Sequence, residues 1–353
     1  MAFTTIDDPS QYFQTVLYTG DGNSTQAITN DGNSDLQPDW IWTKQRSHAV
    51  GHNLTDSSRG ASKALFSEST DVEDTGGNIS SFNSDGFTTT DANRTNQSGR
   101  TFVAWQWVAN GGTTSSNSDG SITSTVQANT TAGFSIALWT GNATGGATIG
   151  HGLGAVPHWM IVKRRDGTAD SWPVYNHKNT SAPQTDYLHL DEQIATTDSV
   201  DRWNDTAPTS TVVSLGDAGA VNGSGATYVG YFFTEKQGYS KFGSYIGNGS
   251  SEGAHVYTGF SPAWIMIKRT DSSSNGNWFI IDNKRTVTNP RLGHLRATQN
   301  NAENTSTNQS IDFLSNGFKL RDSNTSLNNG TYVYMAFAQS PFVSSKGVPA
   351  TAR

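Results

Sequence analysis

The chain has 353 residues, 23 Lys and Arg against 30 Asp and Glu for a formal charge of −7, and no cysteine. This excludes disulfides, a thiolate nucleophile and cysteine-bound zinc or iron–sulfur chemistry, and it argues against a basic footprint for nucleic acid or an anionic membrane. Hydrophobic residues make up only 33% and charged ones 15%, with 36 Gly, while 10 Trp, 16 Phe and 11 Tyr are too many aromatics for a disordered chain. That composition suits short strands and turns rather than helices.

In chain order, the opening "MAFTTIDDPSQYF" has neither a basic leader nor an apolar core of the secretory kind, and no run approaches the ~20 apolar residues of a membrane span. The expectation is assembly in a cell's cytoplasm without a signal peptide and without membrane insertion. An aromatic followed by a Gly/Asn turn comes next, "YTGDGN" at Tyr18, and it returns as "WTGNAT" at Trp139 and "YIGNGS" at Tyr245. Then comes a strand opened by proline, "QPDWIWTKQR" at Pro38, "VPHWMIVKRR" at Pro157 and "SPAWIMIKRT" at Pro262. Each copy closes on an aromatic strand, "RTFVAWQW" at Phe102, "ATYVGYFF" at Tyr228 and "GTYVYMAF" at Tyr332. The aromatic-to-proline intervals are 20, 18 and 17 residues, and the proline-to-closing-strand intervals 64, 71 and 70. Chance matches would not preserve both distances, so the chain reads as one unit written three times.

The fold class expected is all-β, three tandem antiparallel β-sandwich, jelly-roll-like repeats over 1–110, 121–237 and 238–342. A Gly/Ser linker at 111–120 is expected to behave as a coil, and 343–353 as a polar C-terminal tail. Alternation puts Trp159, Ile161 and Lys163 on one face of the second opening strand and Met160, Val162 and Arg164 on the other. Both faces therefore begin apolar, whereas a sandwich strand normally wets one. The second face needs cover from a neighbouring domain, a subunit or a wide loop.

Lys44, Lys163 and Lys268 occupy one position of the three copies, and Arg165 follows the second of them. They read either as a basic strip for an anionic glycan or a partner's carboxylate, or as strand ends whose charges leave the sheet for water. Trp40, Trp159 and Trp264 read as core. Trp105 and Trp107, just before the Gly/Ser segment, and Trp172 and Trp203, in polar surroundings, are the candidate surface aromatics for stacking on a sugar or a partner. Asp31, Asn33 and Asp35 have the alternate spacing that opens a calcium loop, but Trp42 stands where the closing Glu belongs, so an Asx-rich turn is the other reading. Glu68, Glu192, Glu235, Glu252 and Glu303 share no hydrolase motif, and neither a zinc-binding H-E-x-x-H nor a G-x-S-x-G elbow occurs. No catalytic residue, metal or cofactor is expected.

The three elements resemble a tandem β-domain family of structural and tail-fibre-like proteins of marine tailed bacteriophages. The likeness extends to the opening "FTTIDDP", to "SITSTVQANTTAGFSI" and to the closing "AFAQSPF". It implies a non-enzymatic virion protein on the particle exterior, a tail fibre or host-adhesion component, with a capsid decoration protein and a polysaccharide-binding or -degrading protein as alternatives. The partners it implies are copies of the same chain, a trimer first, other virion proteins and host surface glycan.

Overall fold

The structure is a computed structural model that describes residues 3–90 and 92–349. The fold is all-β, built from antiparallel sheets with only single turns of helix between strands. In the first large sheet the order is Phe13–Thr19, Thr101–Trp107, Trp40–Gln45, Asn53–Asp56: edge strand, closing strand, opening strand, return strand. The second repeats that order with Phe134–Thr140, Thr227–Phe233, Trp159–Arg164 and Pro173–Asn176, and the third with Ser240–Ile246, Thr331–Pro341, Phe260–Arg269 and Trp278–Asp282. The register is the same in all three. Trp40, Trp159 and Trp264 lie opposite Trp107, Phe233 and Phe337, and on the other side of the closing strand those residues face Phe13, Phe134 and Ser240.

Alternation along these strands feeds two kinds of core. On one face Val103, Trp105 and Trp107, Val229, Tyr231 and Phe233, and Val333, Met335 and Phe337 all belong to one central cluster, together with the three opening-strand tryptophans. Phe233 packs edge-on to Phe337, and Trp107 edge-on to Trp264 and Phe337, so the three sheets meet there. The opposite faces have separate cores under small sheets: Val16, Ile41 and Ala104 beneath Ile28, Ile79 and Phe87; Met160, Val162 and Phe232 beneath Ile149, Val213 and Leu215; Ile265, Ile267 and Tyr334 beneath Val256, Ile311 and Phe318. The cover required for the second apolar face therefore comes from the same chain. Each central indole removes about 150–250 Å² from water, about 4–6 kcal/mol of gross transfer free energy before chain entropy is charged against it.

The 111–120 stretch is not a free coil. Ser115–Asn117 pairs with Ser124–Asn129, which in turn pairs with Phe134–Thr140 and widens the second sheet. Upstream, the Asp39 carboxylate accepts from the backbone N–H groups of Ala109, Gly111 and Gly112 at 2.7–2.9 Å. Gly111 and Gly112 have φ of 60° and 79°, the left-handed region in which a side chain would be strained. In the tail, Ser344 and Val348 close a turn, and Ser345 donates to the Asp7 carboxylate, 2.7 Å from its N–H; residues 350–353 lie outside the described residues.

Candidate functional site

Most of the residues singled out in the sequence lie where the three sheets join. Lys44, Lys163 and Lys268 are fully buried, which corrects the reading of their charges as leaving for water. Lys163 Nζ donates to Thr70 O at 2.8 Å and Asp170 O at 2.5 Å, and Lys268 Nζ to Ile194 O and Arg269 O at 2.7 Å. Thr70 belongs to the loops of the first sheet and Ile194 to those of the second, so each ammonium stitches its own sheet to the preceding one. Lys44 bonds Gln45 O at 2.6 Å. Burial pushes all three down from the ordinary lysine range, Lys44 and Lys163 to about 8 and Lys268 to about 7. Glu68 and Glu303 hold Lys44 up and Asp191 holds Lys163 up, whereas Arg269 lowers Lys268 further.

The four candidate surface aromatics are also buried. Trp172 Nε1 donates to Phe66 O and Ser69 O at 3.1 Å, and Trp278 Nε1 to His189 O at 2.7 Å, each reaching back one sheet. In the first copy the return strand has no tryptophan, and His52 takes that place. Its Nδ1 accepts from Trp42 Nε1 at 2.8 Å, so Nε2 carries the proton and donates to Arg296 O of the third sheet's loop at 3.0 Å. The pattern is cyclic: second onto first, third onto second, first onto third. Trp203 sits on the single turn Val200–Trp203, capped by Ser199, and gives its N–H to Asp186 O at 3.0 Å.

A second set of side chains, which adds Asp56, Arg59, Glu73, Tyr231, Asp282, Arg285 and Arg46 to Arg165, Trp105 and Glu303, closes the same joints. Asp56 takes bonds from Arg59 of its own loop and from Tyr231 of the second sheet at 2.8 Å, and Glu73 from Arg59 at 3.0 Å and Arg165 at 2.9 Å. Burial opposes ionisation of Glu73, but the Arg165 and Arg59 bonds outweigh it and hold the carboxyl below its usual range. Between the third and first sheets the same positions are Asp282, Arg285 and Trp105, the indole 3.0 Å from Asp282, and Glu303 with Arg285 and Arg46 at 3.2 and 2.7 Å. Between the second and third they are Asn176, Asn179, Thr196, Thr270 and Met335, all neutral, with Thr196 Oγ1 2.7 Å from Asn179 and the buried Asn176 amide nitrogen without a partner among the described residues. One backbone bond is common to all three joints: Glu73 N to Arg165 O, Thr196 N to Thr270 O and Glu303 N to Arg46 O, at 2.8–2.9 Å. The spacing D-x-x-R in "DSSR" and "DNKR" was the available signal for the charged pair.

Where each edge strand meets the neighbouring sheet there is a groove, and the three grooves are filled differently. The second edge strand, at Ile136, is covered by Ser124–Asn129, whose Gln127 bonds Ser57 and Ser58 of the first sheet at 2.9 Å. In the third, Phe242 O accepts from His177 Nε2 at 2.7 Å and Phe242 N donates to Glu235 at 2.9 Å, so side chains stand in for a strand. At the first, Thr15 takes the place of Ile136 and Phe242, and a cavity of about 170 Å³ remains between Phe13–Thr15 and Ala263, Asn283 and Lys284 of the third sheet.

Asp31 and Asn33 line that cavity, and Asp31 is 2.9 Å from Lys284; Asp35 is exposed. Among the described residues, no three His, Cys, Asp or Glu side chains are gathered as metal ligands. Of the five glutamates noted in the sequence, Glu68 pairs with Arg94, Glu235 with Lys241, Glu252 with Lys319 and Glu303 with Arg285, and Glu192 accepts from the Ser171 hydroxyl at 3.0 Å.

Residues 8–341, spanning all three large sheets, match the model of a family described as a domain of unknown function, DUF7483, and the chain belongs to that family. No curated protein and no solved structure matches it.

Proposed function

We propose that the protein is a non-enzymatic component of a bacteriophage particle, exposed on its exterior as part of a tail fibre or a host-adhesion device. The three large sheets with their small partners are, in this reading, three copies of one β-sandwich, jelly-roll-like unit folded face to face. The observation that carries the proposal is the use of the repeated Lys, Arg and Trp side chains. They are spent on holding sheets together, which is the pattern of a body built for mechanical persistence, with Asn, Ser, Thr and Gly left for the outward loops. Oligomers remain part of the proposal, with a homotrimer first. Since the second apolar face is covered within the chain, such contacts would use outer features such as the end of the Ser240–Ile246 edge, where Ile246 is 75% exposed. Gold-labelled antibody against this chain, applied to intact phage particles and read by electron microscopy, tests the proposal. Label at the tail supports it, a lattice of label over the head selects the capsid decoration alternative, and label on neither removes the virion reading.

A further inference from the structure

The residue before the opening-strand tryptophan differs in each copy: Asp39 in the first, His158 in the second and Ala263 in the third. Asp39 accepts from Ala109 N at 2.7 Å, His158 Nδ1 accepts from the equivalent amide, Glu235 N, at 3.0 Å, and Ala263 has no side-chain acceptor. A backbone N–H can only donate, so His158 Nδ1 carries a lone pair and the ring is neutral in this arrangement. Asp39 and His158 answer acid differently. A carboxyl keeps lone pairs when it is protonated, whereas an imidazolium has none.

Glu235 is also what ties the second sheet to the third edge strand, Ser240–Ile246. Its carboxylate accepts from Phe242 N at 2.9 Å and from Lys241 Nζ at 2.8 Å, so the residue that His158 positions is the residue that closes the groove. His177, just after the return strand Pro173–Asn176, completes the cluster. Its Nε2 donates to Phe242 O at 2.7 Å and lies 3.6 Å from the Glu235 carboxylate, and its ring centroid is 4.3 Å from that of His158. A proton added to His177 breaks none of these bonds and sets a cation beside a carboxylate. One added to His158 turns an N–H against the Glu235 N–H, with Thr234 Oγ1 too distant at 3.5 Å to take it, and adds a second charge to the stacked rings. The other charged groups facing His158 are the Glu235 carboxylate and two cations, Lys241 and Lys178. Burial, with His177 adding to it, pushes His158 down from the ordinary 6.5 to about 4, against the pull of Glu235.

We infer that His158 and His177 form a one-proton latch: the pair holds the third edge strand to the second sheet while it carries at most one charge, and a second proton releases it. With the joint open His158 takes its proton near 6.5, and with it closed near 4, so between those values the open form holds the extra proton and closure weakens as pH falls. Release frees the backbone N–H and C=O of Phe242, leaving a bare sheet edge. The inference is independent of the virion reading. Its test is amide hydrogen exchange of the full chain at pH 7.5 and 5.0, corrected for intrinsic rates. The opening equilibrium at the Glu235 and Phe242 amides is expected to rise about tenfold or more on acidification, and that at Ala109, bonded to Asp39, to stay behind it. His158→Asn, which supplies an oxygen acceptor that takes no proton, is expected to abolish the difference. Titration of the His158 imidazole by NMR in the unaltered chain is the second measurement, and it is expected to show a neutral ring as long as the two amides are protected. No excess rise over Ala109, an undiminished rise in folded His158→Asn protein, or a charged His158 ring at pH 6 with both amides still protected overturns the inference.

Discussion

The joint between the first and second sheets and the joint between the second and third are made on the same backbone bond, yet they differ at every side chain of the network that lines it. One has Asp56, Arg59, Glu73, Arg165 and Tyr231; the other has Asn176, Asn179, Thr196, Thr270 and Met335. The difference teaches that such a network changes as a set. A buried ion pair stripped of one partner strands a charge, whereas a fully neutral replacement of the set can be as stable as the original. The neutral joint also has the lysine pushed lowest, Lys268, which has Arg269 nearby and fewer acidic neighbours than Lys44 or Lys163.

The largest effect is expected from Arg59→Ala. It leaves Asp56 and the shared Glu73 buried with too little positive charge, and should lower stability by about 3–5 kcal/mol in urea titration, against about 1 kcal/mol for Asn179→Ala at the neutral joint. Equal costs would break the comparison. Asn176→Asp imports one charge without its cation and should cost about 3 kcal/mol, of which Asn179→Arg in the same chain should restore at least half. Failure of the second change to rescue the first would mean that the neighbouring backbone, rather than charge matching, separates the joints. Tyr231→Phe removes one bond to a carboxylate and should cost about 1.5–3 kcal/mol. The smallest effect, per pH unit, is in the pH dependence. Lys268 releases its proton near 7 in the folded chain and near 10.5 when unfolded, so between those values the unfolded chain holds the extra proton and stability rises with pH, by at most about 1.4 kcal/mol per unit. Above pH 7.5, where the buried histidines no longer contribute, unfolding midpoints at pH 7.5, 8.25 and 9 should show that rise, and Lys268→Met should reduce it across the range, while Lys44 and Lys163 contribute from about 8 upward.

The sequence already displays the recurring strands, because duplicated spacing and period-2 alternation are local signals, while their order across each sheet comes from the structure. It also contained the fact that Lys163 shares a face with Trp159 and Ile161, from which burial of its stem followed. What it could not display is which residues a strand's second face meets, since that depends on contacts a hundred residues apart. Trp172 has Asp170 and Ser171 beside it along the chain, but its indole lies against the loop at Phe66 and Ser69. The equivalence of His52 with Trp172 and Trp278 was equally hidden, because the residue type changed while the acceptor, a backbone carbonyl of the preceding sheet, did not. The Thr15 groove appears only on comparison with Ile136 and Phe242 once the registers are known.

The clasp of Asp7 to Ser345 has a topological consequence. Because the third sheet is bonded back onto the first through Glu303, Arg46, Asp282 and Trp105, the three sheets are linked in a closed circuit by contacts alone. A gene rearranged to connect the neighbourhood of residue 345 to that of residue 7, and to begin instead within 111–120, would encode every one of those joints unchanged. The order in which the ribosome delivers the sheets is thus separable from the order in which they hold one another.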